Sequence, residues 1–423
     1  MIINCENKEL NFAIDAPASK SIYHRELIIR FLCGDTSHLE PEKNDNEDVL
    51  ATKACLSALF HAKREITRGD IILPCNESGS TLRFMIPVAD AYLLSKENHY
   101  RLIFETKGRL FDRPIEELKE TLSSHGVEIY RNETERSLEV TGHLTSGEYI
   151  IGGHVSSQYI SGLLMALTLF EAPSSVMVMG EIKSVHYIEL TQDVLAKYNA
   201  PAELVENIYL VTPGGYRTIP LAGLPEFHVE GDWSNGAFLL CLSLFTNIIV
   251  GNLNPESKQG DKAIGNFLSS VYEILDANEG RIPTKEVMNR YESLWNCTDI
   301  PDIAPYMAIT SAFIYRKAIF TGIERLHIKE SDRVKAARGL LSAIGIETLE
   351  SENTLTVYGK PIEEIRADIQ TPLALSSCHD HRMAMCAILI AAALRIRVEI
   401  DDVDCLRKSF PEFLSIIDRY MGD

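Results

Sequence analysis

Eight short segments of this sequence place cations, hydroxyls or carboxylates at the mouths of apolar stretches. Pro17-Ala18-Ser19-Lys20-Ser21 is followed one turn later by Arg25, Ser78-Gly79-Ser80-Thr81-Leu82 runs into Arg83, Arg113 stands just before Pro114, and Ser156-Ser157-Gln158 offers two hydroxyls and a carboxamide. In the second half come Pro301-Asp302, Lys329-Glu330-Ser331-Asp332-Arg333, Asp380-His381-Arg382 and Lys408. Lysine, arginine and hydroxyl donors, gathered with the free N–H groups of a helix start, bind phosphates and carboxylates. A glycine such as Gly79 lets the backbone itself approach a phosphate. Asp302 and Glu330 are able to carry protons. Each segment also has a plainer reading: the serines and Asp302 as simple caps, Lys329 and Glu330 as solvated charges at a helix start.

The elements that must position these groups repeat. Cap residues followed by 3.6-residue apolar periodicity predict helices beginning near Ser19, Ser80, Ser157, Ser234, Asp302 and Asp380, at intervals of 61 to 78 residues. A second, more amphipathic helix is expected after each, near 47–60, 114–125, 187–199, 262–277, 332–344 and 411–421. Gly126, Gly280 and Gly345 stand where three of these need a left-handed C-cap. Short alternating runs ending in glycine, such as Ser137-Leu138-Glu139-Val140-Thr141-Gly142, read as strands. Six copies of a two-helix, multi-strand unit imply an α/β protein of two domains with three units each, the chain crossing near Leu224 to Gly231. The alternative is that polar caps precede helices in any α/β protein. An all-round apolar helix must be covered, so the first helix of each unit is expected in the interior, its N-terminal N–H groups and partial positive charge facing anions.

Length and composition fit that organisation. A chain of 423 residues exceeds what one core organises. Its hydrophobic share of 45% and charged share of 24% are those of a globular enzyme. A formal net charge of −19 argues against nucleic acid or an anionic membrane as partner. Nine cysteines without a C-x-x-C pair suggest neither a disulfide framework nor a zinc site, and fit a reducing cytoplasm. The first residues lack the features of a secretory signal, and the longest apolar run, 383–394, is too short to span a bilayer.

In order and spacing, the eight segments together with Glu230-Gly231-Asp232 resemble the enolpyruvyl shikimate-phosphate synthase family over almost the whole chain. The resemblance implies an inside-out α/β barrel fold in two lobes that close over the substrates: residues 18–226 form the first lobe, and residues 1–17 with 227–423 form the second. It implies phosphoenolpyruvate and shikimate 3-phosphate as small-molecule partners, and a monomer. By the same resemblance shikimate 3-phosphate falls to Lys20, Ser21, Arg25, Ser156, Ser157, Gln158, Ser184, Asp302 and Lys329. Phosphoenolpyruvate falls to Lys20, Gly79, Arg113, Gln158, Arg333, Arg382 and Lys408.

The implied reaction is addition followed by elimination, which needs two proton carriers. Asp302 is expected as base at the hydroxyl and Glu330 as acid at C3, with Lys20 stabilising charge or sharing in proton transfer and His381 a further candidate. No metal or other cofactor is expected, because cations and helix N-termini can stabilise the developing charge. The sequence departs from the usual pattern at His186, where proline is common, at Arg325, where several members have asparagine, and at Ser80, which replaces threonine. The sister branch that acts on UDP-N-acetylglucosamine usually has Lys-Asn where Lys20-Ser21 stands here, and often a cysteine in a mobile loop, whereas 109–114 has none. A catalytically silent binding relative would need no paired proton carriers.

Overall fold

The computed structural model describes residues 1–65, 68–93, 99–154, 156–182 and 184–422. They form two compact units, one of Met1–Ala18 with Glu230–Asp423 and the other of Ser19–Val229. Among the described residues, one βαβαββ motif occurs three times. In the first copy, strands Arg68–Asn76 and His99–Thr106 are parallel and joined through helix Gly79–Leu93; helix Glu116–Ser123 then leads to the hairpin Val127–Asn132/Ser137–Gly142, whose second strand lies antiparallel to His99–Thr106. The second copy uses Glu148–Gly152, helix Ser157–Leu167, Ser174–Met179, helix His186–Lys197 and the hairpin Ala202–Val205/Ile208–Val211. The third uses Glu292–Asn296, helix Ala304–Ser311, Lys317–Thr321, helix Arg333–Ala343 and the hairpin Glu347–Ser351/Thr354–Tyr358.

The remaining helix pairs carry fewer strands than six equal copies would have. Helices Lys20–Leu32 and Glu47–Glu65 are joined by described residues without a strand. Around helices Trp233–Ser243 and His381–Leu394 the missing partners come from the first eighteen residues. Ala13–Asp15 lies parallel to Ile249–Gly251, and Ile2–Asn4 lies antiparallel to Arg397–Ile400, which pairs with Leu373–Leu375 on its other side.

Helices begin at Lys20, Gly79, Ser157, Trp233, Ala304 and His381, within two residues of the six expected starts. These six are buried almost all round, whereas their amphipathic successors bury one face, and the sheets turn residues such as Ile150 and Met179 outward. The cause is composition: Met383-Ala384-Met385-Cys386-Ala387-Ile388-Leu389-Ile390 offers no polar face, so the whole helix surface must be covered. The C-cap glycines take the left-handed conformation expected of them, with φ of 87° at Gly126 and 71° at Gly345. Close approach of two buried helices has its own glycine. A Cβ on Gly162 would stand 2.8 Å from the Arg83 carbonyl oxygen, so only glycine lets helix Ser157–Leu167 lie this near helix Gly79–Leu93.

One core carboxylate makes a pH-dependent contribution. Asp90, 7% exposed, accepts a hydrogen bond from the Leu144 backbone N–H, and burial pushes its carboxyl from 3.8 up to about 6. A carboxyl raised in the folded state stabilises fully below its unfolded value and loses that contribution as pH rises through about 6. Asp90→Asn keeps an acceptor and removes the ionisation, an effect on the order of 2 kcal/mol. Calorimetry should therefore find the variant melting roughly 5 °C above the parent at pH 7.5 and level with it at pH 4.

Candidate active site

In the unit of residues 19–229 the candidate groups gather at the starts of buried helices. Lys20, the first residue of its helix, reaches Asp48 in the first turn of helix Glu47–Glu65, with Nζ 2.8 Å from Oδ2. Ser19 stands at the N-cap position of the Lys20 helix without a side-chain capping bond. At the Gly79 start, a Cβ would lie 2.7 Å from an Arg113 guanidinium nitrogen and 3.0 Å from one of Arg83. The absent side chain thus leaves two cations lying directly over the backbone.

Gln158 ties this start to its neighbour: its carboxamide oxygen accepts from Arg83 at 2.8 Å, and its nitrogen donates to Ser80 Oγ at 2.8 Å. Ser156 caps the neighbouring helix by accepting from the Gln158 N–H at 3.3 Å. Tyr159 of that helix donates to the Pro114 carbonyl and so pins the segment carrying Arg113. Ser157 and Ser184 are buried, and Ser184 takes a left-handed φ of 56°.

Arg25 is placed beneath this surface. Only 2% exposed, it donates through Nε to Thr191 at 2.7 Å, through one terminal nitrogen to the Ser21 carbonyl, and through the other to the Tyr187 carbonyl at 2.7 Å and Ser161 at 3.3 Å. It therefore ties three helices together at a residue that the resemblance assigns to shikimate 3-phosphate. Burial holds its guanidinium below its ordinary value.

In the unit of residues 1–18 and 230–423 one guanidinium organises the candidates. Arg333 opens helix Arg333–Ala343 and is 2% exposed. Its Nε donates to Asp380 Oδ2 at 2.9 Å, one terminal nitrogen to Asp302 at 2.7 Å and the other to Glu330 at 2.8 Å. Burial works against that charge, but Asp380, Glu330 and Asp302 together outweigh it and hold the guanidinium well above its ordinary value. Asp380 meanwhile caps helix His381–Leu394 by accepting from the Arg382 N–H at 2.9 Å, and it accepts from Ser331 at 2.9 Å.

Asp302 is not a helix cap here. Its helix begins at Ala304 without a side-chain cap, and its carboxylate lies 3.2 Å from Lys329 and 3.7 Å from Arg382 besides its bond to Arg333. Burial would raise its carboxyl, but Lys329, Arg382 and Arg333 hold it well below the usual range. Burial also pulls the Lys329 ammonium down to about 8, against the opposing pull of Asp302. Lys408 approaches Glu330 at 3.9 Å. Arg382 donates to the Tyr306 hydroxyl at 3.1 Å, while its buried Nε meets no hydrogen-bonding partner among the described residues. His381 lies 3.7 Å from Asp380.

Three participants were absent from the sequence-derived site. Asp48 carried no signal beyond an acidic first turn. Asp380 stood inside a quoted motif but read as a cap, and Tyr306 is an apolar-helix residue until Arg382 is seen against it. Chemically, the first unit offers cations, hydroxyls and backbone donors suited to phosphate. The second sets carboxylates among cations, as proton transfer beside an anion requires.

Comparison with known proteins agrees with this chemistry. The family model for EPSP synthase (3-phosphoshikimate 1-carboxyvinyltransferase) matches residues 6–417. A Clostridium perfringens protein named 3-phosphoshikimate 1-carboxyvinyltransferase is 30% identical over 430 residues, covering 96% of this chain and 95% of its own. One of the same name from Clostridium novyi is 28% identical over 436 residues, covering 98% and 96%. Among solved structures, EPSP synthase from Acinetobacter baumannii shares the fold with a TM-score of 0.64 at 19% identity, over 99% of this chain and 98% of that one. The enolpyruvyl transferase NikO from Streptomyces tendae does so at 0.61 and 15%, over 99% and 96%. With the family match running almost from end to end, the chain belongs to the EPSP synthase (3-phosphoshikimate 1-carboxyvinyltransferase) family.

Proposed function

We propose that the chain transfers the enolpyruvyl group of phosphoenolpyruvate to the 5-hydroxyl of shikimate 3-phosphate, releasing inorganic phosphate, as a step of aromatic amino acid biosynthesis. The observation that carries this reading is the Arg333 cluster, in which Asp302 and Glu330 share one guanidinium and are flanked by Lys329, Lys408 and Arg382. Two proton carriers and a surplus of cations in one buried place suit addition to an enol phosphate. A site that only bound sugar phosphates would have no use for the paired carboxylates.

In this mechanism the substrate hydroxyl attacks C2 of phosphoenolpyruvate as C3 takes a proton from Glu330, and the hydroxyl proton passes to Asp302. The tetrahedral adduct then returns the C3 proton to Glu330 and expels phosphate, restoring the double bond, and the proton held by Asp302 passes on to the departing group, which leaves as hydrogen phosphate. A carboxylate held as low as Asp302 is a weak base. Its basicity rises when the substrate carboxylate draws Arg333 and Arg382 away from it, which couples binding to chemistry. Arginine suits that carboxylate because its planar fork spans two oxygens.

Lys20, Gly79, Arg113, Gln158 and Lys408 take the phosphate of phosphoenolpyruvate, with Lys20 also stabilising charge there. Lys20, Ser21, Arg25, Ser156, Ser157, Gln158, Ser184, Asp302 and Lys329 take shikimate 3-phosphate. The lobes are assigned as 18–226, and 1–17 with 227–423. The enzyme is read as a cytoplasmic monomer that needs no metal or other cofactor and binds neither nucleic acid nor membrane. Among the described residues no helix is long and apolar enough to cross a membrane.

The test is release of inorganic phosphate by the purified chain with phosphoenolpyruvate and shikimate 3-phosphate, run beside UDP-N-acetylglucosamine as acceptor. Release with shikimate 3-phosphate alone is the expected result. Release only with the nucleotide sugar, or with neither, would overturn the proposal.

A further inference from the structure

Four side chains that the reaction does not use form a line through the interior of the unit of residues 19–229. His24 Nδ1 lies 2.7 Å from Thr52 Oγ1, Thr52 Oγ1 lies 2.7 Å from Thr81 Oγ1, and Thr81 Oγ1 lies 2.7 Å from Ser78 Oγ and 3.2 Å from the Asp48 carbonyl oxygen. All four are 0% exposed. They join three elements: the helix that starts at Lys20, the helix that carries Asp48, and the start of the Gly79 helix, where Ser78 Oγ accepts from the Thr81 N–H at 3.2 Å. One end of the line is a turn from Lys20. The other end lies on the backbone of Asp48, the partner of Lys20, and on the cap of Gly79.

The line has a direction. Burial holds the His24 imidazole far below its ordinary value, at about 3, so the ring is neutral near pH 7 and carries a single N–H. Its Nε2 meets no hydrogen-bonding partner among the described residues. A proton there would be a buried unpaired donor, whereas a proton on Nδ1 is paired, and a bare Nε2 costs less than a bare N–H. With Nδ1–H donating to Thr52, each hydroxyl has one proton to pass on: Thr52 donates to Thr81, and Thr81 donates to the Asp48 carbonyl or to Ser78. Aligned hydrogen bonds of this kind polarise and strengthen one another.

We propose that His24, as its Nδ1–H tautomer, is a positioning residue that acts through Thr52 and Thr81 to hold the Lys20–Asp48 pair and the Gly79 helix start in mutual register, and so sets the geometry of the phosphate-binding groups. The proposal rests on the reading that Lys20 and Gly79 receive the phosphate of phosphoenolpyruvate. Its effect is read on binding of that substrate, to which both Lys20 and Gly79 are assigned, because the line touches neither Asp302 nor Glu330.

The first measurement is the 15N spectrum of histidine-labelled wild-type protein, which needs no turnover and is independent of the functional reading. A bare Nε2 and a protonated Nδ1 at His24 are expected; the opposite tautomer, or a charged ring, overturns the proposal. The second uses three variants. His24→Phe and Thr52→Val remove the line at either end of its first bond while keeping shape, and His24→Asn restores a donor near the Nδ1 position. In the first two, KM for phosphoenolpyruvate should rise about tenfold with kcat within about threefold, and the Asn variant should return toward the parent. Unchanged KM in both, or kcat and KM lost alike in all three in step with melting temperature, shows that the line only fills the core and overturns the proposal. Should His24→Phe not fold, Thr52→Val and the spectrum decide.

Discussion

Replacing Glu330 by glutamine is expected to lower turnover by about a thousandfold or more while leaving the melting temperature close to that of the parent. The carboxamide keeps an oxygen for Arg333, which Glu330 meets at 2.8 Å, so the cluster retains its packing. What disappears is the ability to deliver a proton to C3 and take it back. The negative charge that Lys408 faces at 3.9 Å also goes, so phosphoenolpyruvate should bind no worse than in the parent, and the loss should lie in kcat. Single-turnover phosphate release separates the two contributions. Near-normal turnover would remove Glu330 from proton transfer and leave it as a partner of Arg333 alone.

The second large effect is on stability. Arg333→Met takes away the guanidinium that Asp380 meets at 2.9 Å, leaving His381 at 3.7 Å beside a carboxylate that is 0% exposed. Breaking a buried pair from one side costs roughly 3–5 kcal/mol, because the surviving charge loses its compensation. For units of this size that corresponds to a melting temperature lower by about 10 °C, together with loss of turnover. The pH dependence distinguishes this cause from a packing defect. In the parent, burial would raise Asp380 but Arg333 and His381 hold it below its ordinary value, so its contribution is present above the unfolded pKa and fades as pH falls. Without Arg333, only the smaller pull of His381 still opposes burial, so the folded-state pKa of Asp380 rises and the charged form loses its main compensation. The deficit of the variant should therefore be largest near pH 8 and shrink toward pH 4, as parallel thermal melts would show. A deficit independent of pH would point to lost packing.

Much of the fold was legible because the signals were local. Cap residues and helical periodicity located the six buried helices to within two residues, and glycines at 126, 280 and 345 marked left-handed helix ends. The strand pattern was less legible. Six equal units were expected, but strands around two of the buried helices are supplied by residues 1–18, and pairing between such distant segments leaves no mark in either segment alone.

The site divides in the same way. Lys20, Gly79, Arg113 and Gln158 could be picked out by type and position, and so could Asp302, Glu330 and Arg333. The neighbours of each group were hidden. Asp302 taken singly read better as a cap, and the helix start at Ala304 with its distances to Arg333 and Lys329 removes that reading. Arg25 was assigned to shikimate 3-phosphate by resemblance, and its bonds to Thr191 and the Tyr187 carbonyl are a consequence of packing that spacing cannot encode. His24 gave no signal, since a histidine on an apolar helix face is ordinary until Thr52 and Thr81 are found in line with it.

The strand Ile2–Asn4 has a consequence for how the chain comes to be folded during synthesis. Met1 donates to the Ile400 carbonyl across a separation of 399 residues, so strand Ile2–Asn4 must wait for Arg397–Ile400 to be synthesised before their sheet can close. Residues 19–229 form a compact unit of their own and can fold in the interval, as domains commonly do in order of emergence. Through that time Ile3, Leu10 and Phe12, all destined for the other core, remain uncovered and open to chaperones or to a neighbouring nascent chain. A circular permutant that begins at Ser19 and carries residues 1–18 behind residue 423 would shorten that wait to a few seconds at ordinary elongation rates, and would trade a long loop closure for a local one.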